Sequence, residues 1–167
     1  MQRIYMQMQQ MQVHDKLEAM PELDDDALDA WRAFLTAHAQ MTRAISRDLA
    51  EAGLPDLGWY DLLWALYRQP ERRLRVNELA REVVLSPTAM SRFVDRVEKA
   101  GYVRREPDPD DRRALQVVLT DSGADLLRKM WPVYARGIQR HFAAHLGQEP
   151  ARLREMLTRM ADSARTA

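Results

Sequence analysis

Cysteine is absent from the 167-residue chain. Disulfide staples, thiolate catalysis and thiol-based redox sensing are therefore excluded. No apolar run approaches the length of about 18 residues that a membrane-spanning helix requires, and the Met- and Gln-rich start lacks the features of a secretion signal. We therefore expect no membrane partner and a cytoplasmic location.

The signatures of an enzyme are also missing. The sequence shows no nucleophile–base arrangement, no metal-ligand cluster and no phosphate-cradling glycine loop. His141 and His145 have the i, i+4 spacing of helical metal ligands, but no Glu follows His141 and no thiolate is available. We predict a protein without catalytic activity, cofactor or bound metal.

The formal net charge is zero, but the charges are segregated along the chain. Residues 1–31 contain two basic and seven acidic residues, whereas residues 68–113 contain twelve basic and nine acidic residues. A basic middle and an acidic start favour a protein in which one part of the chain meets phosphates.

Two short helical patterns separated by a tight break predict a helix-turn-helix between Leu74 and Gly101. In the second pattern Ser86 is suited to the N-cap, Pro87 to the first helical position and Gly101 to the left-handed position after the end. Its apolar residues fall at i, i+3, i+4 and i+7: Met90, Phe93, Val94 and Val97. This spacing predicts one buried stripe.

The opposite face of this helix carries hydroxyl and guanidinium groups, which can reach bases and phosphates in a major groove. The alternative interpretation is an ordinary solvated surface. The predicted DNA contacts on the helix are Ser86, Pro87, Thr88, Ser91, Arg92 and Arg96.

A β-hairpin is predicted directly after this helix, because the apolar period changes from 3.6 to 2. Tyr102 to Arg105 and Ala114 to Leu119 read as strands, separated by the turn-rich segment 106–111. Arg112 and Arg113 begin the second arm, where they can enter a minor groove. Alternatively, or in addition, they form a salt bridge with Asp95 or Asp111.

Residues 77–123, NELAREVVLSPTAMSRFVDRVEKAGYVRREPDPDDRRALQVVLTDSG, resemble the DNA-binding lobe of the MarR family (multiple antibiotic resistance regulators). The segments DRVEKAG, DDRRA and LTDSG carry this resemblance. It implies a mainly α fold in which a winged helix-turn-helix lobe with a small β-hairpin wing is flanked by N- and C-terminal helices that form a dimerisation lobe. It also implies a homodimer that presents two recognition helices to successive major grooves.

The resemblance further implies roles for individual residues. Arg113 is expected to insert into the minor groove or to pair with Asp95, and Asp111 is expected to position the wing arginine. Two positions depart from the usual helix-turn-helix pattern. Val84 stands where glycine is frequent, so we expect a turn that avoids the left-handed conformation. Arg75 stands where Ser or Thr usually caps the helix.

The helices outside this lobe predict the dimer, since one winged lobe cannot cover so much apolar helix. We assign residues 1–24 to a flexible or short helical extension and residues 25–167 to a single MarR-like domain. Dimerisation helices are predicted at about 25–52, 120–146 and 149–164, and the winged lobe at about 56–119.

We therefore predict a sequence-specific regulator of transcription that binds double-stranded DNA at a pseudo-palindromic operator, acting as a repressor that a small aromatic or anionic effector relieves. The effector residues suggested by the resemblance are Trp31, His38 and Trp59, for which core packing is the alternative. The alternative function is a winged-helix adaptor that binds protein instead of DNA, which would be expected to lose Ser91, Arg92 and the wing arginines.

Overall fold

The computed structural model describes residues 23–109, 111 and 114–166. Residues 1–22 of the predicted extension, and wing residues Asp110, Arg112 and Arg113, lie outside these ranges. The elements in chain order are α1 (Asp25–Glu51), α2 (Leu57–Tyr67), β1 (Arg73–Arg75), α3 (Val76–Glu82), α4 (Pro87–Lys99), β2 (Val103–Pro107), β3 (Leu115–Leu119), α5 (Asp121–His141), a 3-10 turn (Ala143–His145) and α6 (Pro150–Thr166). The predicted mainly α class with a small β wing is confirmed.

Internal contacts divide the chain into two units, with the boundary between Ala39 and Gln40. In the first unit the Asp24 carboxylate accepts a hydrogen bond from the Asp26 N–H at 2.8 Å and so caps the start of α1. Further along the same helix the Phe34 ring lies 5.9 Å from Trp31 and 6.4 Å from His38, measured between ring centroids.

The second unit contains the hydrophobic core. Apolar residues at helical spacing on α2, α4 and α5 face inward together with Val103 of β2 and Val117 and Leu119 of β3. The largest fully buried side chains are Leu49, Leu62, Leu63, Leu66, Leu79, Met90, Met130, Val94, Val97, Val103 and Val117. Burial on this scale holds the helix-turn-helix and the strands on one common core.

The sheet has three antiparallel strands in the order β1-β3-β2, one strand more than the predicted hairpin. Strand β1 was not predicted because its three residues, Arg73 to Arg75, are too short for an alternating pattern to stand out. The predicted turn also begins too early, since β2 continues to Pro107, which pairs with Leu115. Proline is tolerated here because β2 is an edge strand.

The turn between α3 and α4 corrects the expectation for Val84, whose φ is +57°, in the left-handed region. The Leu85 N–H donates to the Ala80 carbonyl at 2.8 Å, and the Val84 N–H to the Arg81 carbonyl at 3.4 Å. These bonds form a Schellman motif, which requires a left-handed residue at this position. The hydrogen bonds of the turn and the packing of α4 therefore outweigh the steric free-energy cost of a left-handed β-branched residue.

The same motif ends α4, where Gly101 has a φ of +83° and the Tyr102 N–H donates to the Val97 carbonyl at 3.2 Å. Gly123, the glycine of the segment LTDSG, is required for a different reason. A Cβ on Gly123 would lie 2.1 Å from the Tyr102 carbonyl oxygen, so only glycine allows the start of α5 to approach the end of α4 so closely.

Candidate nucleic-acid interface

Both ends of α4 are held as the sequence predicts. The Ser86 hydroxyl accepts a hydrogen bond from the Ala89 N–H at 3.2 Å, and Pro87 occupies the first turn. Because proline has no N–H to satisfy, this cap leaves a well-formed helix N-terminus. Such a terminus carries partial positive charge and favours a nearby anion.

The inward stripe of α4 is confirmed, since Met90, Phe93, Val94 and Val97 are all buried. The predicted contact residues therefore lie on or beside the outer face. Ser91 is half-buried, and the exposed members of the set are Ser86, Pro87, Thr88, Arg92 and Arg96.

The two arginines of this face differ in their surroundings. The Arg96 guanidinium lies over the Phe93 ring, 5.1 Å from its centroid, and is thereby oriented along the helix. Arg92 has no hydrogen-bond or ion-pair partner within the described ranges. The Arg92 guanidinium can therefore bind a ligand without first leaving another partner among the described residues.

Arg105, on wing strand β2, fastens the wing to α4. Its Nη2 donates to the Asp95 carboxylate at 2.6 Å, its Nη1 donates to the Glu98 carboxylate, and its backbone N–H donates to the same Glu98 side chain at 2.7 Å. Burial lowers the pKa of Arg105, but the hydrogen bonds that its guanidinium donates to Asp95 and Glu98 outweigh this effect and leave the pKa above its ordinary value. The group therefore stays charged and bridges both elements.

Sequence reasoning did not single out Arg105 or Glu98. The predicted partner of Asp95 is Arg113, which lies outside the described residues, so that pairing stays a prediction. Four arginines precede or follow the wing turn at positions 104, 105, 112 and 113. Only the register of β2 against α4 distinguishes which of them reaches Asp95.

A buried carboxylate organises the base of the wing turn. Asp108 is 2% exposed and accepts hydrogen bonds from Arg75 Nε at 2.6 Å, Gln116 Nε2 at 2.9 Å and the Asp111 backbone N–H at 3.1 Å. The bond to Asp108 and the charge of that carboxylate raise the pKa of Arg75. Asp108, which follows β2 directly, is thus tied to β1 and β3.

Arg75, noted as an unusual N-cap, cannot cap α3 with its side chain because a guanidinium has no acceptor. The cap is instead reversed, since the Glu78 carboxylate accepts the Arg75 backbone N–H at 2.8 Å. This arrangement leaves the guanidinium free to bind Asp108.

The three residues suggested for an effector are distributed over both units. Trp31 and His38 flank Phe34 on the part of α1 that belongs to the first unit. Trp59, in the second unit, is half-buried and meets Phe93 and Tyr102 edge-on, at centroid distances of 6.2 and 5.9 Å. A cleft formed by all three stays a prediction.

The two histidines considered as metal ligands occupy different surroundings. His141, at the end of α5, has its Nε2 3.9 Å from Asp48 Oδ2, and His145 is exposed. Over the described residues no group of three or more His, Asp or Glu side chains is placed to hold a metal ion. Over the same residues, no helix is both long and apolar enough to cross a bilayer.

Comparison with known proteins identifies relatives over most of the chain. The MarR family model matches residues 52–114. AbsC, a MarR family transcriptional regulator from Streptomyces coelicolor, is 32% identical, and the match covers 89% of this chain and 100% of AbsC with a TM-score of 0.78. Sco3205, a MarR family regulator from the same organism solved in complex with DNA, is 30% identical, with 87% and 91% covered and a TM-score of 0.77.

A curated relative extends the comparison to another genus. The transcriptional repressor IacR of Pseudomonas putida is 27% identical over 120 residues, which are 72% of this chain and 70% of IacR. The likeness to AbsC, over that protein's whole length, is sufficient to establish kinship. This chain belongs to the MarR family of transcriptional regulators.

Proposed function

We propose that this protein is a repressor that binds double-stranded DNA with α4 in the major groove and the wing in the adjacent minor groove. The observation that carries the proposal is the outer face of α4. It exposes Thr88 in the capped first turn, Arg92 in the middle of the helix and Arg96 in the last turn, while the opposite face is buried in the core. Hydroxyl and guanidinium groups along the outer face of a recognition helix match base edges and phosphates.

The clamp at Arg105 supports simultaneous contact of both elements. Because Arg105 bonds Asp95 and Glu98 of α4 from strand β2, wing and helix approach a duplex as one body. Among the relatives, Sco3205 was solved with DNA and IacR is named a repressor. Both facts favour repression through DNA binding over an adaptor role.

We also propose that the active form is a homodimer on a pseudo-palindromic operator. Helix α6 exposes Met156 and Met160, and the first unit exposes Trp31, Phe34 and Leu35. Apolar side chains on these helices are suited to a two-fold interface. Two recognition helices would then read half-sites about one helical turn, roughly 34–36 Å, apart.

A small aromatic effector completes the proposal by shifting the dimer to a form with lower operator affinity. Trp59 is well placed to transmit such a shift, since its ring packs on Phe93 of α4. A ligand that displaced Trp59 would thus disturb the recognition helix directly.

Selection of bound fragments from the source genome tests the function. We expect the wild-type protein to enrich a pseudo-palindromic motif, and fluorescence anisotropy to give affinity that falls steeply with salt. A double variant, Arg92→Ala with Arg96→Ala, should lose this binding, whereas Arg136→Ala, an exposed arginine of α5, should retain it. A purified dimer that ignores all fragments even at low ionic strength would refute the proposal.

A further inference from the structure

Arg75 departs from the usual capping pattern, and it is not among the predicted DNA contacts. It ends β1 and stands immediately before α3, so it lies where the sheet passes into the helix-turn-helix. Its part in the cap uses only the backbone, because the Arg75 N–H donates to the Glu78 carboxylate. A Ser or Thr at this position would accept a helix N–H with its own side chain. The Arg75 side chain therefore serves a different contact.

The Arg75 guanidinium reaches across the sheet to the wing. Arg75 of β1 lies opposite Gln116 of β3, and Gln116 in turn lies opposite Glu106 of β2. From this position Arg75 Nε donates at 2.6 Å to the carboxylate of Asp108, the residue that follows β2. One side chain thus joins the entrance of the helix-turn-helix to the base of the wing turn.

Asp108 uses its two carboxylate oxygens for different contacts. Oδ1 accepts the Asp111 backbone N–H, whereas Oδ2 accepts Arg75 Nε and Gln116 Nε2. The Gln116 amide is turned toward this carboxylate although its own Oε1 is buried and has no hydrogen-bond partner within the described residues. Because an unpaired buried acceptor costs free energy, the contact with Asp108 decides the orientation of the amide.

Burial makes the cation essential to this arrangement. Asp108 is 2% exposed, and over the ranges that the structure describes it is the one charged residue that is fully buried. A buried carboxylate is strongly destabilising unless it is both hydrogen-bonded and paired with a cation. Arg75 supplies that cation from outside the wing, so the place of Asp108 depends on the place of Arg75.

We propose that Arg75 is a positioning residue for operator binding, which acts through Asp108 and holds the base of the wing at a fixed place relative to the start of α3. Arg105 fastens β2 to α4, so this contact gives the wing a second fastening next to the other helix of the motif. The role rests on the proposed function, in which helix and wing occupy adjacent grooves. A wing that loses this fastening spends less time in its groove, and operator affinity falls.

The sign of one substitution separates positioning from simple electrostatics. Asp108→Asn keeps an acceptor for the turn and removes a negative charge from the DNA-binding lobe, so electrostatics alone would strengthen binding to phosphates. Loss of the Arg75 contact should instead weaken operator binding roughly tenfold. Glu106→Gln is the matched control, since it removes the same charge two residues earlier, from a side chain that bonds Arg104 on the same strand. Its operator affinity should be unchanged or higher.

Fluorescence anisotropy with the selected operator at several salt concentrations measures both the affinity and its salt dependence. Chemical denaturation identifies the conditions under which each variant is folded. Disengagement of the wing should flatten the salt dependence in Asp108→Asn, whereas a loss of stability alone leaves the slope unchanged. Arg75→Thr should weaken binding to a similar degree, although Thr is the better cap. The two substitutions combined should weaken binding no more than either does alone, because they remove the same contact.

Arg75→Lys keeps a cation beside Asp108 without altering the buried side chain, and it should bind the operator more tightly than Arg75→Thr. Unchanged or tighter binding by Asp108→Asn would overturn the proposal, as would an unchanged salt slope or additive losses in the double variant. If Asp108→Asn does not fold, equal affinities of Arg75→Thr and the wild type would overturn it. A wild-type protein that binds no DNA would instead refute the proposed function itself.

Discussion

Arg105 Nη2 lies 2.6 Å from the Asp95 carboxylate, so a wing strand and the recognition helix share one ion pair. The pair is extended by Glu98, and the Arg105 side chain is largely buried. Hydrogen bonds between ionised groups are stronger than those between neutral groups. This contact sets the orientation of the wing relative to α4.

Arg105→Met should lower the free energy of unfolding by roughly 2 kcal/mol, because two carboxylates lose their charged donor. Chemical denaturation measures this change. Arg104→Met is the matched control, since Arg104 is exposed and its bond to Glu106 should be worth less than about 1 kcal/mol. Equal losses in the two variants would contradict the clamp.

Arg92→Ala should weaken operator binding by about 1–3 kcal/mol and relax base preference at one position of each half-site. The reason is the exposed guanidinium on the outer face of α4. Fragment selection with the variant measures the preference. Recovery of the wild-type motif at full affinity would show that Arg92 makes no base contact.

Arg113→Ala tests the wing, whose tip lies outside the described residues. Loss of a cation from the minor groove should cost about 1–3 kcal/mol and flatten the salt dependence of binding. Anisotropy titrations at several salt concentrations give both quantities. If the slope and the affinity are unchanged, Arg113 has only a structural role.

Val84→Gly should raise the free energy of unfolding by about 1 kcal/mol, because glycine adopts a φ of +57° without steric cost. Gly53→Ala gives the opposite test in the equivalent position after α1, where φ is +69° and a Cβ meets no neighbour. That variant should lose about 1 kcal/mol through backbone strain alone. Thermal unfolding of both variants should therefore shift in opposite directions.

Asp61→Asn should be more stable than the wild type at neutral pH. A carboxyl whose pKa is raised on folding binds more protons in the folded state, so its ionisation costs stability as pH rises above the ordinary value of 3.8. The pH-dependent part of the difference between variant and wild type should consequently vanish as pH falls below that value. Identical stability at pH 7 would show that the pKa of the Asp61 carboxyl is not raised on folding.

Much of the recognition helix was predictable because its determinants are local. Ser86, Pro87 and Gly101 act on backbone groups within a few residues, and the buried stripe follows from helical spacing. Strand β1 was missed because its three residues owe their extended conformation to pairing with β3. In this pairing Leu74 of β1 lies opposite Val117 of β3. A strand defined by its partner has little signal of its own.

The sequence by itself determined both ends of α4, its inward and outward faces and the place of the wing. Tertiary structure alone decided that Arg105 meets Asp95, that Val84 is left-handed, and that aromatic rings of α2 and α5 pack together around Tyr60. The physical reason is the distance along the chain over which each interaction acts. Caps and periodicity act over one or two helical turns, whereas ion-pair choice, turn strain and cavities depend on how distant elements pack on a shared core.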